Sequence, residues 1–268
     1  MNTRPICVFD SGVGGLSILR SLRAELPHED FIYLADSAHA PYGERDDAHV
    51  ISRARALTQA SLDRGAKLVV VACNTATAAA IHLLRAEHPG LPVVGVEPAL
   101  KPAVLATKTK RIGVMATRGT LASAKFGVLL DSLKGQAEFV LQPCDGLAEA
   151  IEQQMGHGDT AAVTQLCTTH IEAMGGFGNG ERLIDTLVLG CTHYPFAMQP
   201  LVALVGPQVR IIETGEPVAR HTRRLLLEHG LLNASQNAGQ LTLDSTGDLA
   251  VLTRAAGAWL SGRDQLGR

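Results

Sequence analysis

Several chemistries can be struck out before any is found. The five cysteines, Cys7, Cys73, Cys144, Cys167 and Cys191, are odd in number and widely spaced, and no Cys-x-x-Cys pair occurs. That argues against both a disulfide framework and a zinc ribbon. No Gly-Lys-Ser/Thr step is present, which excludes a phosphate-binding P-loop. The longest apolar run, Leu68 to Cys73, is only strand length, so no membrane span is expected. Net charge is −2 and aromatics make up 4% of residues. No basic stripe interleaved with aromatics therefore offers itself to nucleic acid. The start MNTRPICVFD enters a strand pattern directly, without the regions of a signal peptide, so a cytoplasmic protein is expected. Lys67, Lys101, Lys108 and Lys110 read as surface residues, and no lysine stands in a setting that suggests pyridoxal phosphate. Neither a cofactor nor a metal is expected.

What is present suits an ordinary folded protein. The 268 residues are 46% hydrophobic and 19% charged, enough for one large or two small domains with a sizeable core. Strand-like runs are predicted at Pro5–Phe9, Asp30–Ala35, Lys67–Ala72, Pro92–Val96, Arg111–Met115, Glu138–Gln142, Thr186–Gly190 and Val209–Ile212. Helical periodicity fills the gaps, over Ser17–Leu26, Ala48–Arg64, Thr75–His88, Thr120–Leu133, Leu147–Met155, Thr160–Met174 and Glu216–His229. This β-then-α alternation predicts an α/β fold with parallel strands and helices on both faces. Breaks fall near Glu97-Pro98 and in the loop Gly175 to Arg182. The tail RDQLGR is expected to fray.

An internal echo is the most informative pattern. LVVVACNTATAAAIHLL surrounds Cys73, and IDTLVLGCTHYPFAMQPL surrounds Cys191. Each reads as a buried strand, a cysteine, a threonine-containing polar pair and a helix start. Two such units facing each other would aim both strand ends into one cleft, where open α/β sheets bind ligands. A thiol at a helix N-terminus is expected to have a lowered pKa. Asn74-Thr75 and Thr192-His193 would offer donors and caps beside it. Each cysteine alone reads equally well as an inert buried residue; the matched pair is what points to chemistry.

Two polar loops also end strands. In FDSGVGGL, Asp10 and Ser11 precede glycines that let backbone N–H groups approach an anion. A dinucleotide loop is the rival reading, with Asp36 near the place of a ribose-binding acid. The glycine spacing fails it, because Ser17 stands where the next glycine belongs. Pro41-Tyr42-Gly43 by itself reads as a turn. Asp10 is readable as a helix cap only. His193 is readable as a metal ligand or a core histidine.

Taken in order, FDSGVGGL, PYG, CNTA and GCTHYP resemble the aspartate/glutamate racemase superfamily, and within it the glutamate racemases, from Asp10 to about residue 230. The resemblance implies two pseudo-symmetric α/β domains with parallel sheets and the active site in the inter-domain cleft. The expected division is 1–97 plus 211–268 for one domain and 98–210 for the other. It further implies that Cys73 is the base for D-glutamate and Cys191 the base for L-glutamate, assisted by Asp10 and His193 respectively. Glu152 enters because it stands eight residues after Cys144, an offset the family shares; without the resemblance it reads as solvated surface. Substrate contacts are expected from Asp10, Ser11, Pro41, Tyr42, Gly43, Asn74, Thr75, Thr192 and His193. Asp145 departs from the proline that many relatives carry there.

The implied reaction is cofactor-independent racemisation by two bases, supplying D-glutamate for peptidoglycan, in a homodimer. The site would stabilise the carbanion with fixed donors and excluded water. Within the superfamily, an aspartate or hydantoin racemase and a maleate isomerase stay open. Outside it stand a binding protein for an acidic metabolite, which needs no thiols, and a nucleotide-dependent oxidoreductase.

Overall fold

The computed structural model describes residues 3–158 and 160–260. The expectation for the tail RDQLGR falls outside the described residues. Nine strands are described: β1 (Ile6–Asp10), β2 (Phe31–Ala35), β3 (Leu68–Val71), β4 (Val93–Gly95), β5 (Arg111–Ala116), β6 (Glu138–Pro143), β7 (Thr186–Leu189), β8 (Arg210–Ile212) and β9 (Leu241–Ser245). The helices that matter below are α1 (Leu16–Glu25), α2 (Asp47–Asp63), α3 (Asn74–Glu87), α4 (Leu100–Ala106), α5 (Arg118–Ala122), α6 (Ala124–Asp131), α7 (Leu147–His157), α8 (Ala161–Met174), α9 (Met198–Val205), α10 (Gly215–Glu228) and α11 (Leu249–Leu260).

The strands form two sheets, ordered β4-β3-β1-β2-β9 and β8-β7-β5-β6, and every pairing within them is parallel. Without β9, the two orders are the same: first strand central, second on one side, third and fourth on the other. Parallel strands need helical crossovers, which cover both faces. Accordingly β1, β3 and β7 are buried along their whole length. On one face of the first sheet, Ile6 and Val8 pack with Leu19 and Leu22 of α1, Val218 and Leu226 of α10, and Leu252 of α11. On the other, Cys7 and Phe9 pack with Leu57 of α2 and Ile81 of α3. The second sheet is covered by α7, α8 and α9 on one face and by α4 and α6 on the other. Among the described residues, no helix is long and apolar enough to cross a membrane.

The structure corrects the sequence reading in three places. The helix predicted over Thr120–Leu133 is two helices, because Ser123 sits in extended backbone and its side chain caps the N–H of Phe126. A local cap here overrides a continuous apolar period. β9 and α11 add a strand and a helix that the pattern did not announce. Lys67, read as surface, is buried, with Nζ 2.5 Å from Glu29 Oε2. Glu29 also accepts a 2.7 Å bond from the backbone N–H of Asn233, so this charge is paired as burial requires.

Candidate functional site

Equivalent strands deliver equivalent positions. Cys73 follows β3 and Cys191 follows β7, the third strand of each sheet. Asp10 ends β1, and the residues just after the first strand of each sheet, Ser11 and Thr117, stand at matching places. The C-terminal ends of both sheets meet here, and the site is closed: Cys73 and Cys191 are 6% and 7% exposed, and Asp10, Ser11, Asn74, Thr75, Thr192 and His193 are buried with them.

The glycine loop after β1 is the floor. Asp10 Oδ2 accepts from the Gly15 N–H at 2.6 Å, and Tyr33 donates to the Gly12 carbonyl at 2.7 Å. A side chain at Gly12 would overlap the Glu152 carboxylate, and one at Gly14 would overlap the His193 ring. The glycines therefore let one sheet's loop dock against the acid and imidazole of the other. Glu152 Oε1 accepts from the Val13 N–H at 2.6 Å and lies 2.6 Å from His193 Nε2; His193 Nδ1 lies 3.7 Å from Cys191 Sγ. Glu152, readable as surface from sequence alone, is thus tied into a Cys191–His193–Glu152 chain. Ser17 Oγ, 2.8 Å from the carbonyls of both Gly14 and Thr192, ties the two cysteine-bearing halves together again.

Electrostatics separate the two arms. Burial opposes a charge on His193, but Cys191 and Glu152 outweigh it and hold the imidazole well above its ordinary pKa. That favours imidazolium between a sulfur and a carboxylate. Burial pushes the Cys73 thiol well up, and the Asp10 charge adds to it, while the Ala76 N–H pulls the other way. The expected lowering at a helix N-terminus is therefore overturned for Cys73. It does cap α3, accepting from Ala76 at 3.4 Å, but desolvation outweighs one weak donor. The Cys191 setting differs too: a short helical turn, Tyr194–Ala197, intervenes before α9.

Asp10 is raised to about 6, first by burial, with His193 pulling down and Glu152 pushing up. This gives a stability effect with a definite sign. Between pH 4 and 6 the folded chain keeps a proton that the unfolded chain has lost, so stability falls as pH rises through that window. An Asp10→Asn variant lacks this term. Its stability relative to the parent is expected to rise between pH 4 and 6, by about 3 kcal/mol at most, and to stay level above, with the Tm difference following it. Melting both proteins at four pH values checks it; a gap that does not change with pH would contradict the assignment.

The remaining expected residues fall around this core. Asn74 has both amide atoms buried without a hydrogen-bond partner, an arrangement that invites a ligand. Thr75 Oγ1 lies 3.0 Å from Thr117 Oγ1, and Gly43 packs so closely on Thr117 that a Cβ there would clash. Pro41 and Gly43 border a small cavity at the mouth with Thr117, Arg118, Cys144 and Asp145. The Tyr42 hydroxyl is not offered to the cysteines, because it donates to Asp36. Asp36 is fully engaged: Arg53 binds it through two 2.8 Å bonds and Thr246 through one of 2.9 Å, and His39 Nδ1 lies 3.0 Å away. That leaves no acceptor for a ribose and assigns Asp36 to holding the Tyr42 loop. Asp145 pairs with Arg118 at 2.5 Å. Cys144, Cys7 and Cys167 are buried, and burial raises all three thiols. Among the described residues, no cluster of three or more His, Cys, Asp or Glu could hold a metal. Sequence reasoning missed Thr117 and Tyr33; aligning the two halves strand by strand would have matched Thr117 with Ser11.

The chain matches the Asp/Glu/Hydantoin racemase family over residues 16–222. It is 49% identical to the glutamate racemase of Stutzerimonas stutzeri, covering 88% of this chain and 86% of that protein. Its structure is similar to glutamate racemase isoform RacE1 from Bacillus anthracis, with a TM-score of 0.85 and 32% identity over 98% of this chain and 96% of that one. It is also similar to the Francisella tularensis glutamate racemase solved in complex with D-glutamate, with a TM-score of 0.80 and 27% identity over 99% and 96% of the two chains.

Proposed function

This chain belongs to the Asp/Glu/Hydantoin racemase family, and we propose that it interconverts L- and D-glutamate with Cys73 and Cys191 as the two acid-base groups. It is an amino-acid racemase, an isomerase. The observation that carries the two-cysteine reading is their placement: one thiol at the end of the third strand of each sheet, both buried in one closed site. Racemisation needs a base on one face of the α-carbon and an acid on the other. One sulfur, as thiolate, takes the proton; the other, as thiol, returns one; the roles exchange with the direction of reaction.

The surroundings fit those roles. His193, charged and held by Glu152, donates towards Cys191 and steadies a thiolate there. Asp10, ionised at neutral pH but close to its own midpoint, is a fitting proton acceptor for Cys73, whose protonated state burial favours. The substrate ammonium supplies the missing positive charge between two sulfurs and keeps its charge throughout. The unpartnered Asn74 amide and the Thr75, Thr117 and Thr192 hydroxyls are donors for the carboxylates. Burial makes each donor count for more than it would in water. Pro41, Tyr42 and Gly43 close the mouth against solvent.

On this reading the two sheets are two domains, with the chain crossing between them near Glu97 and again near Glu213. The family likeness is also what supports a supply of D-glutamate for peptidoglycan by a cytoplasmic homodimer. The test is direct. Protein dialysed against chelator and given only a reducing agent is expected to racemise either glutamate enantiomer, followed by circular dichroism, with higher kcat/KM than for aspartate. A strict requirement for added pyridoxal phosphate or metal would overturn the mechanism. Equal or better turnover of aspartate would move the substrate assignment elsewhere in the family.

A further inference from the structure

The chain has one tryptophan, and it sits where the halves of the molecule meet behind the site. Trp259, near the end of α11, stacks on Phe196, with ring centroids 4.2 Å apart and planes 25° from parallel. Arg20 of α1 lies over the same indole, 4.4 Å from its centroid. α11 belongs to the first sheet, packed beside α1 through Leu252 and Ala255. Phe196 belongs to the second, three residues after His193, and its N–H bonds the His193 carbonyl at 3.0 Å. Phe196 is also packed against the cores of both sheets. α11 further touches α7, the helix that carries Glu152.

These contacts close a circuit around one arm of the site. On one side, the glycine loop meets Glu152 and His193 directly. On the other, α1, which starts at the end of that same loop, reaches back through Arg20, Trp259 and Phe196 to the turn that holds His193. On the Cys73 arm the halves meet through other contacts, Thr75 and Gly43 against Thr117, with no aromatic ring among them. We propose that the Arg20–Trp259–Phe196 stack is a positioning element for the Cys191–His193–Glu152 arm, fixing the sulfur that faces L-glutamate. The inference rests on the two-cysteine reading above. The stack borders a cavity of about 720 Å³, and both rings are only partly buried where they pack against the cores. A leucine in place of either ring keeps apolar contact with those cores while giving up the stack.

A racemase reveals such a role in an unusual way. Its two substrates are enantiomers of equal free energy, so any loss in kcat/KM is the same in both directions. The direction of the damage appears only in isotope effects. If the Cys191 arm is displaced, proton removal from L-glutamate becomes more rate-limiting, whereas removal from D-glutamate by Cys73 does not. Trp259→Leu and Phe196→Leu are therefore expected to lower kcat/KM about tenfold and to raise the isotope effect measured with α-deuterated L-glutamate. The effect with α-deuterated D-glutamate should stay level or fall. Trp259→Phe, which keeps a stacking ring, should restore most of the parent behaviour. Arg20→Met leaves both rings in place and is expected to shift the L effect the same way by a smaller amount, so the idea remains testable if a ring variant fails to fold. Folded variants in which both isotope effects are unchanged, or rise equally, would overturn the inference. The parent enzyme is the control: if it racemises glutamate and the variants show no directional shift, this inference alone fails; if it does not racemise glutamate, the functional reading fails.

Discussion

Cys73→Ala and Cys191→Ala are each expected to lower glutamate racemisation about a thousandfold or more, in both directions. Each turnover uses both sulfurs, one to take a proton and one to give it, so losing either stops the cycle wherever it starts. Both variants should stay folded. Each loses a single small group at the end of a strand, where the cavity left is minor. The isotopic experiment on the parent enzyme is sharper than the mutants. In D₂O, starting from L-glutamate, the proton returns from the opposite sulfur, which has exchanged with solvent. Deuterium should therefore enter the D-glutamate product well before it appears in remaining L-glutamate. One base serving both faces would carry label into both pools together, and early label in recovered L-glutamate equal to that in product would sink the two-thiol assignment.

Gly12→Ala is expected to cost about a hundredfold in kcat/KM, although Gly12 bears no chemistry. Its backbone is not in a conformation reserved for glycine; what excludes a side chain is the Glu152 carboxylate. That carboxylate can swing away, but only by giving up its 2.6 Å contacts to Val13 N–H and His193 Nε2. Two donors in a closed site would then be left unpaired, a penalty of about 1–3 kcal/mol each. A double-mutant cycle with Glu152→Ala isolates this cause. Once the carboxylate is gone the extra methyl has space, so the double variant should be no worse than Glu152→Ala alone. Simple additivity of the two losses, or a Gly12→Ala enzyme with parent activity, would contradict the docking role given to the glycine loop.

How far the sequence speaks depends on what each residue answers to. The runs at β1, β3 and β7 are legible because central parallel strands are buried on both faces and carry little but apolar residues. β9 is not: Leu241-Thr242-Leu243-Asp244-Ser245 pairs only with β2, is half-buried, and carries the mixed residues of an edge. The cysteines, Asp10 and His193 were legible as motifs because each stands where a strand ends. Their energetics were not. The helix N-terminus at Cys73 can be read from order along the chain, whereas the desolvation that reverses its effect comes from packing across two sheets. Lys67 failed for the same reason, since its partner Glu29 is far away in sequence. Glu152 is intermediate. Its offset from Cys144 gave a family match, but only the fold shows that Gly12 and Gly14 leave space for it and for His193.

The solitary indole gives the protein an optical handle on its own closure. Red-edge excitation selects Trp259 over the three tyrosines, so emission reports one place. That place is bounded by an arginine from the first half and a phenyl ring from the second. A change in how the halves seat on each other changes what quenches and what solvates that ring. The spectrum of the unlabelled protein is thereby expected to follow how the two sheets seat on each other, readable in a stopped-flow mixing cell on the same sample whose turnover is being timed.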